Sequence, residues 1–273
     1  QYLHFRPVVV TVMDLAFKRF PKSYSFFFRH YLNFSTWWTV KTGKHIIAIS
    51  ETTKKDLIHY YGAYSKKITV TYLGFDVSEH HIAREEAESI ARKFGIKKNY
   101  ILYIGRLETK KNIINLIKAF HRILAAGEDL QLVLIGKSGL GWSAIARAIR
   151  DLGVEDHIIM PGYVTDEEKQ ALLEQASLFA MVSLYEGFGI PVLEAYVAGV
   201  PTVLSDISVF KELFSESSSF AAADDPSDIA KKMREVLQSK KIADDLVEKG
   251  RKAAKKFSWE KCARETLGVL RRE

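Results

Sequence analysis

The sequence predicts an α/β fold in which helices cover both faces of a doubly wound parallel sheet. Short apolar runs of strand length alternate with longer amphipathic stretches as far as about residue 255. Glycine turns at Gly105 and at Gly187–Gly189 each follow an apolar run and lead into a helical pattern. This order of strand, turn and helix is typical of parallel sheets.

The amino-terminal stretch, residues 1–76, is interpreted as the rear part of one Rossmann-like domain. Its strands are predicted within Val8–Leu15, at His45–Ser50 and at Lys67–Leu73. Ser50 or Thr52 is expected to cap a helix that runs to Tyr61. Gly74-Phe75-Asp76 is interpreted as the hinge to the next domain.

Residues 77–255 are interpreted as a complete second domain of the same Rossmann-like type. Its predicted strands include Tyr100–Ile104, Gln131–Ile135, His157–Met160, Ala180–Ser183 and Val200–Leu204. Asn112 is expected to cap the helix after the first of these strands, and Pro191 to occupy the first position of a later helix.

The last stretch, residues 256–273, is predicted to form a helix with one apolar face. Trp259, Cys262 and Leu267 can share that face. The helix is therefore expected to dock back on the amino-terminal domain.

The turn Glu186–Glu194 places two carboxylates on either side of a glycine-rich helix start. Free amides at a helix amino terminus favour an anion such as phosphate, and glycines let a ligand approach the backbone closely. Carboxylates accept hydrogen bonds from sugar hydroxyls. The combination indicates a nucleotide-sugar site, whereas the alternative is a surface turn with two solvated glutamates.

Two cations, Arg106 and Lys111, are predicted on the loop after the strand Tyr100–Ile104. Ligands of open α/β sheets bind at the carboxyl ends of strands. An arginine offers a planar fork to phosphate oxygens and a lysine a point charge. The alternative is ordinary exposed basic residues, because the chain has 40 lysines and arginines.

Five short motifs in order resemble the retaining glycosyltransferases of the GT-B fold, the family called glycosyl transferases group 1 or family four. They are Gly105-Arg106-Leu107 with Lys111-Asn112, Leu134-Ile135-Gly136-Lys137, Pro161-Gly162-Tyr163-Val164, the Glu186–Glu194 turn, and Phe257-Ser258-Trp259-Glu260-Lys261. The resemblance spans essentially the whole chain, and the ordered set is more specific than any single motif.

The resemblance implies a role for each matching residue. Arg106 and Lys111 would clamp the diphosphate, and Glu186 would hold the transferred sugar together with the amides of Phe188, Gly189 and Ile190. Glu194 would accept hydrogen bonds from the ribose, and the backbone near Tyr163 and Val164 would meet the base. Arg106, Lys111 and Glu186 are the candidate catalytic residues. The remaining candidate donor-binding residues are Gly105, Gly136, Lys137 and Gly187.

The resemblance also implies the reaction. A hexose would be transferred with retention from a nucleotide diphosphate sugar to a glycan or lipid-linked acceptor, and a diphosphate oxygen would take the acceptor proton. No cofactor and no metal are expected. Gly136-Lys137 followed by Gly141-Trp142 resembles mannosyltransferases of the family, so GDP-mannose is the first expectation for the donor and a UDP-sugar the second.

Two departures from the family pattern leave alternatives open. Met13 stands where the family usually has a histidine, although Asp14 is kept, and a thioether is a poor hydrogen-bonding group. The chain also begins almost at that strand, so the amino-terminal part of a two-domain enzyme is expected to be missing. A catalytically silent nucleotide-sugar-binding scaffold is therefore the main alternative. A GT-B epimerase or a dehydrogenase is less favoured.

The chain has a net charge of +7 and a pI of about 9.2. Nucleotide diphosphates, an anionic membrane or nucleic acid could balance this charge. No nucleic-acid-binding module is present, so nucleic acid is not expected as a partner. The single cysteine, Cys262, is compatible with a reducing, cytoplasmic location. His80 and His81 are interpreted as surface residues rather than metal ligands.

The segment Tyr24–Trp38 is rich in aromatic residues and has basic neighbours. It could contact the inner face of a membrane that carries a lipid-linked acceptor. Packing inside the amino-terminal domain, or against its missing part, is the preferred interpretation, because aromatic stripes are usually core. Its aromatic residues are Tyr24, Phe26, Phe27, Phe28, Tyr31, Phe34, Trp37 and Trp38, and the basic neighbours are Lys18, Arg19, Lys22 and Arg29.

Overall fold

A computed structural model describes residues 8–75, 82–97 and 99–272. The strands of these residues are β1 (Val9–Val12), β2 (His45–Ala48), β3 (Ile68–Val70), β4 (Tyr100–Ile104), β5 (Gln131–Ile135), β6 (Ile158–Gly162), β7 (Leu178–Met181), β8 (Thr202–Ser205) and β9 (Ser219–Ala221). The α-helices are α1 (Ala16–Arg19), α2 (Phe26–Thr42), α3 (Glu51–Tyr61), α4 (Arg84–Lys93), α5 (Ile113–Ala125), α6 (Trp142–Asp151), α7 (Asp166–Glu174), α8 (Ile190–Ala198), α9 (Ser208–Phe214), α10 (Pro226–Gln238), α11 (Lys240–Ala254) and α12 (Trp259–Arg272).

The strands form two parallel sheets, which confirms the predicted α/β class. The amino-terminal lobe contains β1-β2-β3 with α1 to α3, and the carboxy-terminal lobe contains β6-β5-β4-β7-β8-β9 with α4 to α11. From β4 the chain adds strands outward through β5 and β6, and then returns to place β7 on the other side of β4. The carboxyl ends of β4 and β7 therefore flank the crevice where ligands bind in such sheets.

The core of the carboxy-terminal lobe follows directly from its sequence. Every residue of β4 and β5 is buried, as expected of strands covered by helices on both faces. The apolar face of α5, from Ile113 to Ile123, packs against this sheet. A second, smaller core lies in the amino-terminal lobe around Leu15, Ile46 and Leu57.

The structure corrects the expected role of Asn112. Its backbone is left-handed, with φ of 60°, and its side chain makes no capping hydrogen bond to α5. Instead, the amide Nδ2 donates to the carbonyl oxygens of Val182 and Ala223, at 2.9 and 2.6 Å. These carbonyls follow β7 and β9, and a single amide group with two protons can satisfy both.

Two smaller expectations are also resolved. Ile190 is the first residue of α8 and Gly189 precedes it as the cap, so Pro191 lies at the second helical position rather than the first. Ser50, not Thr52, caps α3, because its hydroxyl accepts a hydrogen bond from the backbone N–H of Thr53 at 3.1 Å.

Most of the aromatic segment is not packed inside the described part of the amino-terminal lobe, although Tyr24 packs against its core. Six of its side chains on α2 are exposed, and only Thr39 and Val40 of this helix are fully buried. No helix among the described residues is both long enough and apolar enough to span a bilayer.

The predicted domain limits are only partly covered by the structure, since residues 76–81 lie outside the described part. Phe257, just before α12, packs against Tyr72 of the amino-terminal lobe and against Phe188 of the carboxy-terminal lobe. Trp259 and Leu267 on α12 are exposed. Docking of α12 through its apolar face therefore stays a prediction.

Hydrogen bonds across the lobe boundary hold the two lobes together. The hydroxyl of Tyr185, after β7, accepts from the backbone N–H of Leu15 and donates to the carboxylate of Asp56, both at 3.0 Å. Glu212 on α9 accepts from the backbone N–H groups of Glu51 and Thr52 at the start of α3, at 2.7 and 2.8 Å. An acidic side chain at that helix end is favoured by the dipole.

We expect Tyr185→Phe to lower the free energy of unfolding by about 1–3 kcal/mol, because it leaves a buried N–H and a buried carboxylate without this partner. A denaturant melt measures the loss. Tyr64→Phe is the matched control, since Tyr64 is 65% exposed. Equal midpoints for the two variants would show that the hydroxyl of Tyr185 does not couple the lobes.

Candidate functional site

The candidate site lies where the loops after β4 and β7 meet. Lys111 follows β4 and Glu186 follows β7, and the Nζ atom of Lys111 lies 2.6 and 2.7 Å from the two carboxylate oxygens of Glu186. Ser183 donates a hydrogen bond of 2.7 Å to the same carboxylate. The side chains of Lys111 and Glu186 are only 15% and 11% exposed. The structure thus joins two of the predicted site residues in a largely buried ion pair.

Arg106 differs from Lys111 in its surroundings. Its side chain is exposed and forms no ion pair with any residue of the described part of the chain. The backbone carbonyl of Arg106 accepts a hydrogen bond from the hydroxyl of Tyr103 at 3.1 Å, which fixes the loop under the guanidinium group. A free guanidinium group next to a paired lysine can meet a dianion such as a diphosphate.

Two predicted glycines allow the loops after β4 and β5 to touch. Gly105 and Gly136 have φ of 152° and 140°. A Cβ atom on Gly136 would lie 2.0 Å from the carbonyl oxygen of Gly105. The N–H of Gly105 donates to the carbonyl of Ile135 at 2.9 Å and holds this contact, whereas the N–H of Gly136 donates to the carbonyl of Gly162 at the end of β6, also at 2.9 Å. A Cβ atom on Gly105 would instead lie 2.7 Å from the hydroxyl of Tyr103, which is a side-chain contact.

The turn after β7 meets the amino-terminal lobe at the predicted positions Met13 and Asp14. A Cβ atom on Gly187 would lie 2.7 Å from the carbonyl oxygen of Met13 and 2.9 Å from the Cβ atom of Asp14. Met13 is 52% exposed, and the carboxylate of Asp14 accepts from the backbone N–H of Ala16 at 2.9 Å. The cleft between the lobes is therefore narrow at this point.

The rest of the turn starts α8. Phe188 is buried, and Gly189 has a φ of 126°. A Cβ atom on Gly189 would lie 3.0 Å from the ring of Phe210 and 3.2 Å from the ring of Phe214. Ile190 is half-buried as the first residue of α8. The turn thus places backbone amides at a helix start beside the Lys111–Glu186 pair, an arrangement that suits an anion.

Glu194 on α8 has a partner that the sequence reasoning missed. Lys169 on α7 lies 2.9 Å from the carboxylate of Glu194 and 3.0 Å from that of Asp166. Burial lowers the pKa of Lys169, but the two carboxylates outweigh it and raise the pKa above its usual value. The sequence signal that could have pointed to Lys169 is the capping box at Thr165 and Glu168. It fixes where α7 begins and therefore which face of the helix carries Lys169.

The predicted base-contacting residues lie beyond β6. Tyr163 is 76% exposed and Val164 is buried. The Nζ atom of Lys137 lies 5.4 Å from the ring centroid of Tyr163, a cation–π distance. The two candidate donor-binding residues after β5 and β6 are therefore neighbours, next to the Gly105–Gly136 contact.

Lys110 is a second residue that the sequence reasoning missed. Its Nζ atom lies 3.5 Å from Glu108 and 6.0 Å from the ring centroid of Tyr24 in the amino-terminal lobe. Burial lowers the pKa of Lys110, but Tyr24, Glu108 and Asp14 together raise it, so this ammonium group stays charged in the cleft. The sequence does not distinguish Lys110 from its neighbour Lys111, because the conformation of the turn decides which of the two side chains faces the amino-terminal lobe.

No cluster of three or more His, Cys, Asp or Glu side chains in the described residues could hold a metal ion. His80 and His81 lie outside those residues.

The two parallel sheets and the cleft between them define a protein of the GT-B class. The chain belongs to the family of glycosyl transferases group 1, whose model matches residues 86–253. The model of glycosyltransferase family 4 matches residues 2–79.

Two curated relatives are mannosyltransferases. The chain is 30% identical over 241 residues to O-antigen chain mannosyltransferase B of Escherichia coli, covering 85% of this chain and 62% of that protein. It is 29% identical over 220 residues to O-antigen chain mannosyltransferase RfbU of Salmonella typhimurium, covering 81% of this chain and 58% of that protein. The chain thus spans about three fifths of the length of these relatives.

Solved structures with 18% sequence identity share the fold. Anabaena Alr3699/HepE in complex with UDP and glucose superposes with a TM-score of 0.85, covering 98% of this chain and 72% of that one. WaaG, a glycosyltransferase involved in lipopolysaccharide biosynthesis, superposes with a TM-score of 0.77, covering 96% of this chain and 74% of that one.

Proposed function

We propose that this chain supplies the donor site of a retaining glycosyltransferase. The enzyme would move a hexose from a nucleotide diphosphate sugar to a glycan or lipid-linked acceptor. The observation that carries the proposal is the meeting of free Arg106, the Lys111–Glu186 pair and the turn amides at the crevice between β4 and β7.

The arrangement suits departure of a diphosphate. Negative charge grows on the leaving group, and fixed cations and amides aimed at it stabilise the transition state without reorganising. Arg106 and Lys111 would supply the cations. Glu186 would then be released from Lys111 in part and accept hydrogen bonds from the sugar, and a diphosphate oxygen would take the acceptor proton.

The nucleoside of the bound donor would lie further along the edge of the sheet that the carboxyl ends of the strands form. Glu194 would accept hydrogen bonds from the ribose hydroxyls, sharing its carboxylate with Lys169 at 2.9 Å. The backbone at Tyr163 and Val164 would meet the base. In this proposal Lys169 is a positioning residue that orients the carboxylate of Glu194 toward the ribose.

Mannose from GDP-mannose is the proposed donor sugar, because two curated relatives are O-antigen mannosyltransferases. A UDP-sugar is the second candidate, since the structure of Alr3699/HepE holds UDP and glucose. The relatives do not favour a silent scaffold or an epimerase. We also propose a cytoplasmic protein in peripheral contact with the inner face of a membrane, where a lipid-linked acceptor would be met.

The proposal is tested by calorimetric titration of the full chain with GDP, UDP and ADP, and then with GDP-mannose. One diphosphate is expected to bind at least about tenfold more tightly than the others, and Arg106→Ala to remove that binding because the free guanidinium group is lost. Arg84→Ala is the matched control, since Arg84 is an exposed arginine on α4, away from the crevice.

A chain that binds none of the three diphosphates while still melting cooperatively would contradict the proposed donor site. Binding that survives Arg106→Ala would contradict the role of this residue. Met13→His is expected to leave donor binding unchanged. A change in the rate of donor hydrolysis in this variant would place residue 13 beside the transferred sugar, and it would favour the enzyme over the silent scaffold.

A further inference from the structure

A groove of about 340 Å³, separate from the candidate site, lies between α5 and α10 of the carboxy-terminal lobe. Arg122 forms its α5 wall, and the Nε atom of Arg122 donates a hydrogen bond of 3.2 Å to the hydroxyl of Ser227 on α10. At about 1.5 Å per residue, Arg122 lies roughly 14 Å along α5 from its first residue, Ile113. None of the lining residues belongs to the predicted donor site. The polar side chains that α10 contributes are those of Ser227, Lys231, Arg234, Glu235 and Gln238.

The groove carries three cations that the protein leaves without acidic partners. Arg122, Lys231 and Arg234 line it, and none of them forms an ion pair within the part of the chain that the structure describes. The groove has one carboxylate of its own, that of Glu235, which lies 2.9 Å from the Nζ atom of Lys232. Positive charge therefore dominates the lining of the groove, which favours an anionic ligand.

Three carboxylates neighbour the lining residues and already accept hydrogen bonds. Glu128 accepts from the side-chain amide of Gln238 at 2.6 Å. Asp225 and Asp228, at the start of α10, each accept from a backbone N–H group at 2.8 Å. None of the three lies within ion-pair distance of a cation of the groove in the described residues. The cations thus stay available to a ligand.

The Nε atom of Arg234 is the most direct sign of a ligand. It is buried, and it has no hydrogen-bond partner in the described part of the protein. A guanidinium group stays protonated, so this donor is charged as well as unpaired. Buried donors nearly always have a partner, because leaving one unpaired is unfavourable. An oxyanion in the groove could accept hydrogen bonds from Nε and a terminal nitrogen together, the bidentate geometry that arginine forms with phosphate.

We propose that the groove between α5 and α10 binds a small phosphate-bearing molecule. Arg234 would hold the phosphate through its planar fork, and Lys231 and Arg122 would add point charge beside it. Ser227, Lys231 and Arg234 are spaced four and three residues apart, so one face of α10 presents all three to the ligand. The hydroxyl of Ser227 and the carbonyl oxygen of Gln238 can bind hydroxyl groups of a phosphate ester.

The test is a titration of the full chain, followed through its backbone amide signals in NMR spectra. The probes are mannose 6-phosphate, inorganic phosphate and mannose. The signals of Ser227, Lys231 and Arg234 are expected to shift saturably with phosphate-bearing probes below about 10 mM, and not with mannose. Phosphate could also enter the proposed donor site, and the signals of Gly187 and Phe188 report that binding separately.

The two phosphate-bearing probes distinguish the source of the phosphate group. Tighter binding of mannose 6-phosphate than of inorganic phosphate would support an ester as the ligand, because the groove then also binds the sugar hydroxyls. Equal affinities would support phosphate itself. Mannose that shifts the groove signals as strongly as mannose 6-phosphate would contradict recognition of phosphate.

Two pairs of substitutions with the same change of charge separate the groove from general attraction of anions. Lys231→Gln with Arg234→Gln should weaken phosphate binding at least about tenfold. Lys240→Gln with Lys241→Gln removes two exposed lysines at the start of α11 and should leave the affinity unchanged. Arg234→Lys keeps the charge but loses the planar fork, so a smaller loss of about threefold is expected.

Arg234→Met determines whether this arginine is only a structural residue. A structural role predicts a lower unfolding midpoint in the variant. Because the buried Nε atom has no partner in the described residues, an apolar side chain of similar length should keep or raise the midpoint. Phosphate binding should nevertheless fall at least about tenfold.

Three further outcomes would overturn the inference. The groove signals could fail to shift with either phosphate-bearing probe up to about 10 mM. The control pair on α11 could lose as much affinity as the groove pair, which would show general attraction of anions. Arg234→Met could melt earlier and still bind phosphate, which would make Arg234 a structural residue. None of these results changes the donor titration, which depends on Arg106.

Discussion

Lys111→Ala is expected to abolish detectable binding of a nucleoside diphosphate, with a loss of at least about a hundredfold. The substitution removes one of the two cations of the proposed clamp. It also leaves the carboxylate of Glu186, which is 11% exposed, without its ion-pair partner next to an incoming dianion. Electrostatic repulsion between Glu186 and the diphosphate is thus added to the loss of attraction by Lys111.

The same substitution should reduce stability. Removing one partner of a buried ion pair costs about 3–5 kcal/mol in the free energy of unfolding. Lys232→Ala is the matched control. Lys232 also forms an ion pair, with Glu235 at 2.9 Å, but these two side chains are more exposed, at 29% and 40%. That pair should contribute less than about 1 kcal/mol.

A double variant separates binding from stability. Lys111→Met with Glu186→Gln removes both charges, so the unfolding midpoint should return toward that of the wild type while binding stays absent. Calorimetry and a denaturant melt on the same samples measure both quantities. Diphosphate affinity that survives in either variant would mean that Lys111 is a structural partner of Glu186 and not part of the clamp.

The sequence could predict where the candidate site lies because its motifs follow the ends of strands. A buried run followed by Gly105, and another followed by Gly187, place both loops at the same edge of a parallel sheet. The pairing of Lys111 with Glu186 could not be predicted, because 75 residues separate them and the contact exists only once β4 and β7 are adjacent. Lys169 was missed for the same reason, since its partner Glu194 lies on a different helix.

The aromatic segment shows a different limit. Apolar residues usually mark the buried face of a helix, and α2 carries aromatic rings around much of its circumference. Periodicity therefore cannot decide which side is packed. Packing on the amino-terminal core decides the orientation of α2, since it buries Thr39 and Val40 and leaves Phe27 84% exposed. Asn112 is a related case, since its type suits a cap but two buried carbonyls compete for its amide.

Gly136→Ala is expected to lower the free energy of unfolding by about 3 kcal/mol and to remove donor binding. Its φ of 140° is unfavourable for any residue with a side chain. The added Cβ atom would lie 2.0 Å from the carbonyl oxygen of Gly105 and 2.8 Å from the carbonyl carbon. Both neighbours are backbone atoms, so no side-chain rotation can relieve the overlap.

To accommodate this Cβ atom in Gly136→Ala, the loops after β4 and β5 would have to separate. Their contact is held by the hydrogen bond from the N–H of Leu107 to the carbonyl of Lys137, at 3.0 Å, and by the one from Gly105 to Ile135. Moving the first loop displaces Arg106, and with it the free guanidinium group of the proposed clamp. Stability and binding should therefore fall together, unlike in the Lys111 and Glu186 double variant.

Gly127→Ala is the matched control for Gly136→Ala. Gly127 also has a positive φ, of 90°, but a Cβ atom there would have nothing within 4 Å. Gly127→Ala should lower the free energy of unfolding by only about 1 kcal/mol, the backbone cost of a positive φ, and it should bind the donor normally. A Gly136→Ala chain with the melting midpoint and the affinity of Gly127→Ala would show that the two loops can part without cost. The close approach of Gly105 and Gly136 would then not be what positions Arg106.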